Sequence, residues 1–326
     1  MTEARAPRPL VSVVVPLFNA AWCVAETLAA VKAQTLRDFE AILIDDGSSD
    51  ETAAIVEAAI AGDPRFRLLR QANSGVAATR NRGVGLARGR YVAPLDQDDL
   101  WQPTFLERLT GGLEARGPGA IMAFARSVWI DGSGQAPEQA PAAIPAEVGY
   151  RELLVLNPIG NGSATVIRRE ALQAVGGFDA ELLRDFGQAD DWWLQLQLSW
   201  RGEVVFVDEP LLRYRITPQS VSVRSVERMA RATRAIIRRA RREGPRLRPR
   251  DYWRARSLAM LWQARRAREM GQTGLTLRLL AHAYLGHPLW ALEPELRASA
   301  IKALRAPIRL LRPRRSGLIA RLIGPA

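Results

Sequence analysis

Three stations along the chain carry carboxylates at spacings suited to chemistry: Asp45-Asp46, Asp96 with Asp98 and Asp99, and Asp190-Asp191. The middle station closes the stretch Tyr91 to Trp101, YVAPLDQDDLW, an apolar run that ends in three acids. Such a run, if extended, delivers its last side chains to a sheet edge, where open α/β folds bind ligands. Acids on alternate residues can turn toward one hard cation, and Mg²⁺ or Mn²⁺ needs few protein oxygens when a substrate phosphate supplies the rest. An isolated D-x-D-D reads more readily as a solvated acidic turn, because charge clusters usually lie on the surface. The choice therefore rests on the remaining stations. Asp190 and Asp191 open an amphipathic pattern of Trp192, Trp193, Leu194, Leu196 and Leu198, where the helix dipole favours acids. One acid would suffice for capping, which leaves the second open to a chemical role.

The elements that must position these acids follow from periodicity. Val11 to Pro16 is β-branched and apolar, as in a strand buried on both faces, with Pro16 expected to end it. Val24, Leu28 and Val31 repeat at helical spacing, and Phe39 to Ile44 gives a second strand that runs directly into Asp45, Asp46 and Gly47. Ser48 with Glu51 fits a capping box for the helix that follows. Phe66 to Leu69 reads as a short strand, Asn73 to Gly75 as a turn, Val76 to Ala87 as a helix and Tyr91 to Leu95 as strand four. Strands alternating with helices predict a parallel, right-handed, doubly wound sheet. A dinucleotide-binding dehydrogenase is disfavoured, since no G-x-G-x-x-G follows strand one.

Further on, Thr104 to Glu114 is helical and Ala120 to Ile130 a strand, followed by a Gly- and Pro-rich loop over Gly132 to Pro145. Asn157 to Ser163 is turn-rich, Ala164 to Ile167 a strand, and Arg169 to Val175 a short helix closed by Gly176 and Gly177. Glu203 to Val207 is read as the last strand, with Leu212 to Ile216 leading out of the domain.

At 326 residues and 48% apolar content the chain has enough material for one large α/β domain with an appendage. Cys23 is the single cysteine, which excludes an internal disulfide framework and reads as packing. The N-terminal MTEARAPRPL lacks the apolar core of a signal peptide, and no uncharged apolar run reaches membrane-spanning length, so neither secretion nor spanning is expected. Charge divides the chain. Residues 225–326 hold 24 Lys and Arg against 6 Asp and Glu, a net +18 within the total of +12, which leaves −6 for residues 1–224.

In this order VSVVVPLFNA, ILIDDGSSDET, NSGVAATRNRGVGLARGRYVAPLDQDD, VGGFD, ADDWW and LLRYRITPQSVS resemble the family-2 glycosyltransferases of the GT-A fold, over residues 10 to about 222. Each segment is weak evidence by itself; six in sequence are not a chance match. The resemblance implies a GT-A type doubly wound, mostly parallel α/β sheet with a basic α-helical C-terminal extension. Residues 1–9 would be a disordered N-terminus, 10–224 the catalytic domain (10–101 the nucleotide-sugar half, 102–224 the acceptor half), and 225–326 the basic helical region. It further implies a nucleotide diphospho-sugar bound across the strand ends. Pro16, Phe18 and Asn19 would line the base and ribose pocket, with Asp46 accepting from the base and Gly75 beside it. Arg80 would approach the phosphates. Asp96-Gln97-Asp98 is the D-x-D station, with Asp98 on a divalent metal, Mn²⁺ or Mg²⁺, and Asp96 on ribose or a metal-bound water. Asp191 would be the general base of an inverting displacement. Asp99, Asp190 and Trp192 would support the metal site or meet the acceptor, and Asp179 would be structural.

Two departures qualify the resemblance. The Y-R-x-H segment appears as Tyr214-Arg215-Ile216-Thr217, without the histidine, and there is no Q-x-x-R-W of processive relatives. One or a few sugars per acceptor are therefore expected, the acceptor being a glycan or lipid-linked precursor of surface polysaccharide. In the basic region, Val226, Met229, Ala230, Ile236, Ile237 and Ala240 form an apolar stripe with arginines around it. Two readings stand for such helices and for the terminal KALRAPIRLLRPRRSGLIARLI: they lie on an anionic membrane, on the inner face for a cytoplasmic enzyme, or they pack on the catalytic domain with a solvated basic face. No motif supports specific nucleic-acid binding. A nucleotidyltransferase of similar sheet would show a Gly-rich basic loop where PLFNAAW stands, and a non-catalytic basic adaptor would leave the acids without a purpose.

Overall fold

The computed structural model describes residues 8–285 except 138–142, 187–188, 218–219 and 221–224. The N-terminal residues 1–7 and the terminal basic segment 286–326 lie outside the described residues. The first half is β1 (Val11–Leu17), α1 (Val24–Lys32), β2 (Phe39–Asp45), α2 (Thr52–Ile60), β3 (Phe66–Arg70), α3 (Val76–Leu86) and β4 (Tyr91–Pro94). All pairings in it are parallel, in the order β3-β2-β1-β4. Every residue of β1 and of β2 is buried, as a sheet covered on both faces requires.

Pro16 lies inside β1 without breaking the ladder. The carbonyls of Leu10 and Val14 accept from Tyr91 and Leu95, so even-numbered residues of β1 address β4. Pro16 is next in that series and lies beyond Pro94, the end of β4, so its missing N–H faces no partner. The strand thus continues to Leu17 instead of ending at Pro16.

The second half is β5 (Leu100–Trp101), α4 (Phe105–Arg116), β6 (Ala120–Ile130), α5 (Tyr150–Leu156), β7 (Thr165–Arg168), α6 (Arg169–Ala174), α7 (Ala180–Phe186), α8 (Asp190–Ser199) and β8 (Glu203–Arg215). β7 joins β4 antiparallel, and the sheet continues β7-β6-β8-β5 with β6 and β8 parallel. β8 runs 13 residues, bulging twice against β6 near Asp208–Pro210, so Leu212 to Arg215 belongs to the sheet and does not leave the domain. The pattern reading divided this strand because Asp208, Glu209 and Pro210 interrupt its apolar alternation.

The basic region begins with α9 (Val226–Glu243), α10 (Pro249–Glu269) and α11 (Thr273–Leu285). The α9 stripe is spent on packing: Ile236, Ile237 and Ala240 join the main core with Tyr252 and Ala255, while Val226 and Ala230 pack with Met260 and Ala264. Polar ties reinforce the contact. The Tyr150 hydroxyl donates to the Ala240 carbonyl at 3.1 Å, and Arg151 pairs with Asp251 at 2.9 Å. The apolar face of α9 is therefore not available to a membrane, and its solvated side is the arginine side. No described helix is long and apolar enough to cross a membrane.

Candidate active site

The turn that carries Asp96, Asp98 and Asp99 joins β4 to β5. It is not an extended alternation, because the chain reverses at Gln97 and Asp98 so that β5 can pair antiparallel with Leu212 and Arg213 of β8. Gln97 clips this turn to the loop after β1: its Oε1 accepts from the Phe18 N–H at 2.7 Å and its Nε2 donates to the Phe18 carbonyl at 3.1 Å. The Thr27 hydroxyl donates to the Gln97 carbonyl at 2.7 Å. The other side of the turn rests on Arg215, a fully buried side chain. Its Nε donates to the Asp98 carbonyl at 2.9 Å, its backbone N–H to Asp99 Oδ1 at 3.0 Å, and its Nη2 to Glu26 at 2.7 Å. Burial first, then the Asp96 charge, push the Asp98 carboxyl up to about 6. Asp99 is raised well above the carboxylate range by burial and by Asp98, and its Oδ2 is buried with no hydrogen-bond partner.

The second acidic station is α8. Ala189 precedes it at φ 73°, a left-handed conformation that costs a non-glycine residue about 1 kcal/mol or more, and this aims the first helical turn. The N-cap residue Ala189 offers no side-chain acceptor, and Asp191 in the first turn uses one carboxylate oxygen on a neighbouring backbone N–H. Asp190 is buried and accepts from Arg80 Nη1 at 2.9 Å. The Arg80 Nη2 donates to Asp96. One guanidinium thus ties the two acidic stations together from α3, stacked over the Phe178 ring with its carbon 5.1 Å from the centroid. Burial opposes its charge, but the Asp96 and Asp190 carboxylates outweigh it and hold Arg80 above the usual arginine range. Asp191 is half-buried, with Oδ1 accepting from the Trp192 N–H at 2.7 Å. Burial, then the Asp190 charge, push it up to about 7.

The turn-rich segment at Asn161 to Ser163 also spans the stations. The Ser163 hydroxyl accepts from the Asp96 N–H at 3.0 Å, and a Cβ added to Gly162 would lie 3.7 Å from the Asp191 Cβ. Asn161 holds this turn, accepting the Ala164 N–H at 2.9 Å and donating to Ser127 at 3.0 Å.

At the ends of β1 and β2, Pro16 and exposed Phe18 lead to Asn19, whose φ of 49° is a conformation asparagine tolerates. Asn19 Oδ1 accepts from the Ser49 N–H at 2.9 Å, and its N–H donates to Ser48. Ser48 and Glu51 therefore form no capping box on α2; at its start Asp50 accepts the Thr52 N–H at 3.0 Å and also holds the Ala21 N–H. Asp46 is buried and occupied, accepting from Ser74, Gly75 and Gln71 at 2.7–2.9 Å. Burial would raise its carboxyl, and these donors hold it below the usual range instead. Gly75, at φ 85°, begins α3 beside it.

Other sequence-derived candidates serve the framework. The Trp192 indole is buried and its N–H donates to the Leu153 carbonyl at 2.9 Å. Asp179 accepts the Leu182 N–H at the head of α7 and pairs with Arg239, in keeping with a structural role. Cys23 is buried, its thiol pushed up to about 12 chiefly by that burial, as a packing cysteine would be. Arg215, Glu26, Asn161 and Ser163 were not singled out from sequence. A weaker signal existed for Arg215: LRYRI reads as a strand with two arginines, and a charge carried into a sheet must find partners.

The Glycosyl transferase family 2 model matches residues 12–176, just over half of the chain. The chain belongs to this family. Relatives include the uncharacterized glycosyltransferase EpsJ of Bacillus subtilis (strain 168), 39% identical over 102 residues, which are 31% of this chain and 30% of that protein. The chondroitin synthase of Escherichia coli is 36% identical over 99 residues, 30% of this chain and 14% of that protein. The chain thus matches less than a third of the length of either relative. Across the whole fold it is similar to S. aureus TarS 1-349, solved in complex with UDP-GlcNAc: TM-score 0.61, 19% identity, covering 90% of this chain and 87% of that one. The mannosyltransferase PcManGT of Pyrobaculum calidifontis, solved with GDP-Man and Mn²⁺, gives a TM-score of 0.59 at 20% identity, over 98% and 86% of the two chains. These likenesses establish the GT-A type α/β fold with its C-terminal helices.

A divalent cation fits the acids present. No ion pair among the described residues holds the Asp98 carboxylate, although the Arg215 charge lies near enough to attract it, and Asp99 Oδ2 beside it is orphaned. Among the described residues no group of three or more metal-binding side chains converges. An ion here would rest on one or two carboxylates and depend on substrate oxygens for the remainder.

Proposed function

We propose that this chain is an inverting glycosyltransferase that moves a sugar from a nucleotide diphospho-sugar to a hydroxyl of a glycan or lipid-linked precursor of surface polysaccharide. The carrying observation is Arg80, which binds Asp96 with one nitrogen and Asp190 with another. The turn at the nucleotide end and the helix that offers Asp191 therefore form one site. Residues 10–101 hold the donor, 102–224 carry the acceptor side, and 225–326 form a basic helical appendage.

In this assignment Pro16, Phe18, Asn19, Asp46 and Gly75 surround the nucleotide. Asp46 would accept a base N–H through Oδ2, which takes the Gly75 N–H and keeps a second lone pair, while Gln71 and Ser74 hold Oδ1. Asp98 and Asp96 would hold Mn²⁺ or Mg²⁺, which would supply positive charge for the diphosphate. Arg80 is engaged on both carboxylates, so its role is to hold Asp96 and Asp190 in register more than to grip phosphate. Arg215 fixes the turn from below.

Asp191 accepts the acceptor hydroxyl proton while the new oxygen–carbon bond forms and the anomeric bond to diphosphate breaks. The nucleoside diphosphate leaves with the electron pair of that bond. A single displacement with base and leaving group on opposite faces inverts the anomeric centre. A base near 7 suits this step at neutral pH: it is ionised enough to accept and basic enough to pull. The complexes of TarS with UDP-GlcNAc and of PcManGT with GDP-Man and Mn²⁺ make UDP- and GDP-linked donors, and Mn²⁺, the first to try.

The test is incubation with UDP-, GDP- and dTDP-sugars, with Mn²⁺ or with EDTA, and measurement of nucleoside diphosphate release. Release with at least one donor, lost in EDTA, is expected. Absence of metal-dependent binding and release with every donor would sink the assignment.

A further inference from the structure

Away from the acidic site, α7, α9, α10 and α11 enclose an open basin of about 420 Å³. Three arginines of α9, Arg231, Arg234 and Arg238, line one wall at the spacing of a single helix face, and Arg256 of α10 faces them. His282 of α11 closes the rim, and Phe186 of α7 with Ile237 provides apolar surface. None of these four arginines is paired with a carboxylate among the described residues, and Arg256 Nε is buried without a hydrogen-bond partner. On the same helix Arg239 pairs with both Asp179 and Glu243, so the fold neutralises one arginine and leaves its neighbours uncompensated. Burial, then Arg238, Arg256 and Arg231, depress Arg234 below the usual arginine range, with Glu227 offering a small opposing attraction. Four like charges around one concavity are unfavourable until an anion enters.

We propose that this basin is a second anion site, separate from the donor site, that takes a phosphate or diphosphate group of the acceptor; this rests on reading the chain as a transferase. Guanidinium forks match phosphoryl oxygens, and several of them answer an anion of two or more charges better than a lone carboxylate. Phe186 and Ile237 offer contact to the uncharged part of the same ligand. The basin is also within reach of the chemistry. Four residues lead from Phe186 to Asp190, so the basin wall stands within about 14 Å of the head of α8 along the chain. A sugar linked through phosphate to its carrier would span that distance, with its hydroxyl toward Asp191 and its phosphate among the arginines.

The probe is inorganic pyrophosphate, titrated calorimetrically into the full-length protein in EDTA, so that a metal-dependent donor site does not contribute. Arg234→Gln with Arg256→Gln is expected to weaken binding by about tenfold or more. Arg246→Gln with Arg250→Gln, which removes equal charge from exposed positions outside the basin, should stay within about twofold. Binding of UDP or GDP with Mn²⁺ should be unchanged in both pairs; no such binding by the wild type speaks against the donor reading alone, whereas its loss in the Arg234 and Arg256 pair would mean that the basin is not separate from the donor site and overturns the proposal. Arg234→Lys with Arg256→Lys keeps the charge and separates loss of the anion from loss of the fold: it should retain pyrophosphate binding within a few-fold. No pyrophosphate binding by the wild type, or equal weakening by the two Gln pairs, overturns the proposal. So does binding to vesicles containing phosphatidylglycerol that depends equally on both pairs without pyrophosphate binding, since the arginines would then be a diffuse membrane-facing charge.

Discussion

Asp191 and Arg80 show how burial and charge are set against each other at single residues. Asp191 sits near 7 because its ionised form is short of water and close to Asp190. In the proposed role of base it must be unprotonated, so kcat/KM should fall about tenfold per pH unit below about 7 and level off above it, with the limb absent in variants of this residue. The stability sign is opposite. A carboxyl raised in the fold favours the native state most below its unfolded value near 4 and loses that contribution as pH rises through about 7. Arg80 provides the compensation for its neighbours. Arg80→Met would leave Asp190 buried and unpaired at a cost of about 3–5 kcal/mol, read by urea unfolding at pH 8. The loss should shrink at pH 5, because Asp190 is already shifted upward by burial and a protonated acid needs no cation. An equal loss at both pH values would mean that packing, not charge, is what Arg80 supplies.

At the scale of elements, the site depends on α3 lying close to the sheet. Gly83 permits that approach: a Cβ there would fall 2.3 Å from Val14 Cγ1 and 3.4 Å from Ile44 Cδ1. Ala has the better helix propensity by about 1 kcal/mol, yet overpacking against a buried strand costs about 1–3 kcal/mol, and the clash wins. Gly83→Ala is therefore expected to lower stability in thermal unfolding, and a stabilised variant would contradict this packing. The parallel first half was legible in the sequence because uniformly apolar strands alternate with helical periods from Val11 to Pro94. Less legible were α5, α7 and the two-residue β5, which lack a strong period or sufficient length. The continuation of β8 past Pro210 was hidden for the same reason that bulges exist: the chain breaks its alternation to change register.

Over the whole molecule, sequence gave the three acidic stations but not their connection. That Asp96 and Asp190 share Arg80, that Ser163 and Gly162 stand between Asp96 and Asp191, and that Arg215 anchors the turn are contacts across 16 to 117 residues. No local pattern encodes such pairings. The basic region likewise reads as amphipathic in sequence, and only the packing of Ile236, Ile237 and Ala240 with Tyr252 shows which face is spent. In the proposed assignment, donor and base belong to one site assembled from both halves of the chain, with separable tasks. Measuring donor binding and sugar transfer side by side in Asp191→Asn and Asp98→Ala tests this most directly. Asp191→Asn should keep donor affinity within about twofold while transfer falls by about 10²–10⁴, and Asp98→Ala should lose both. Transfer at the wild-type rate in Asp191→Asn would contradict the assignment of the base and the two-sided site built on it.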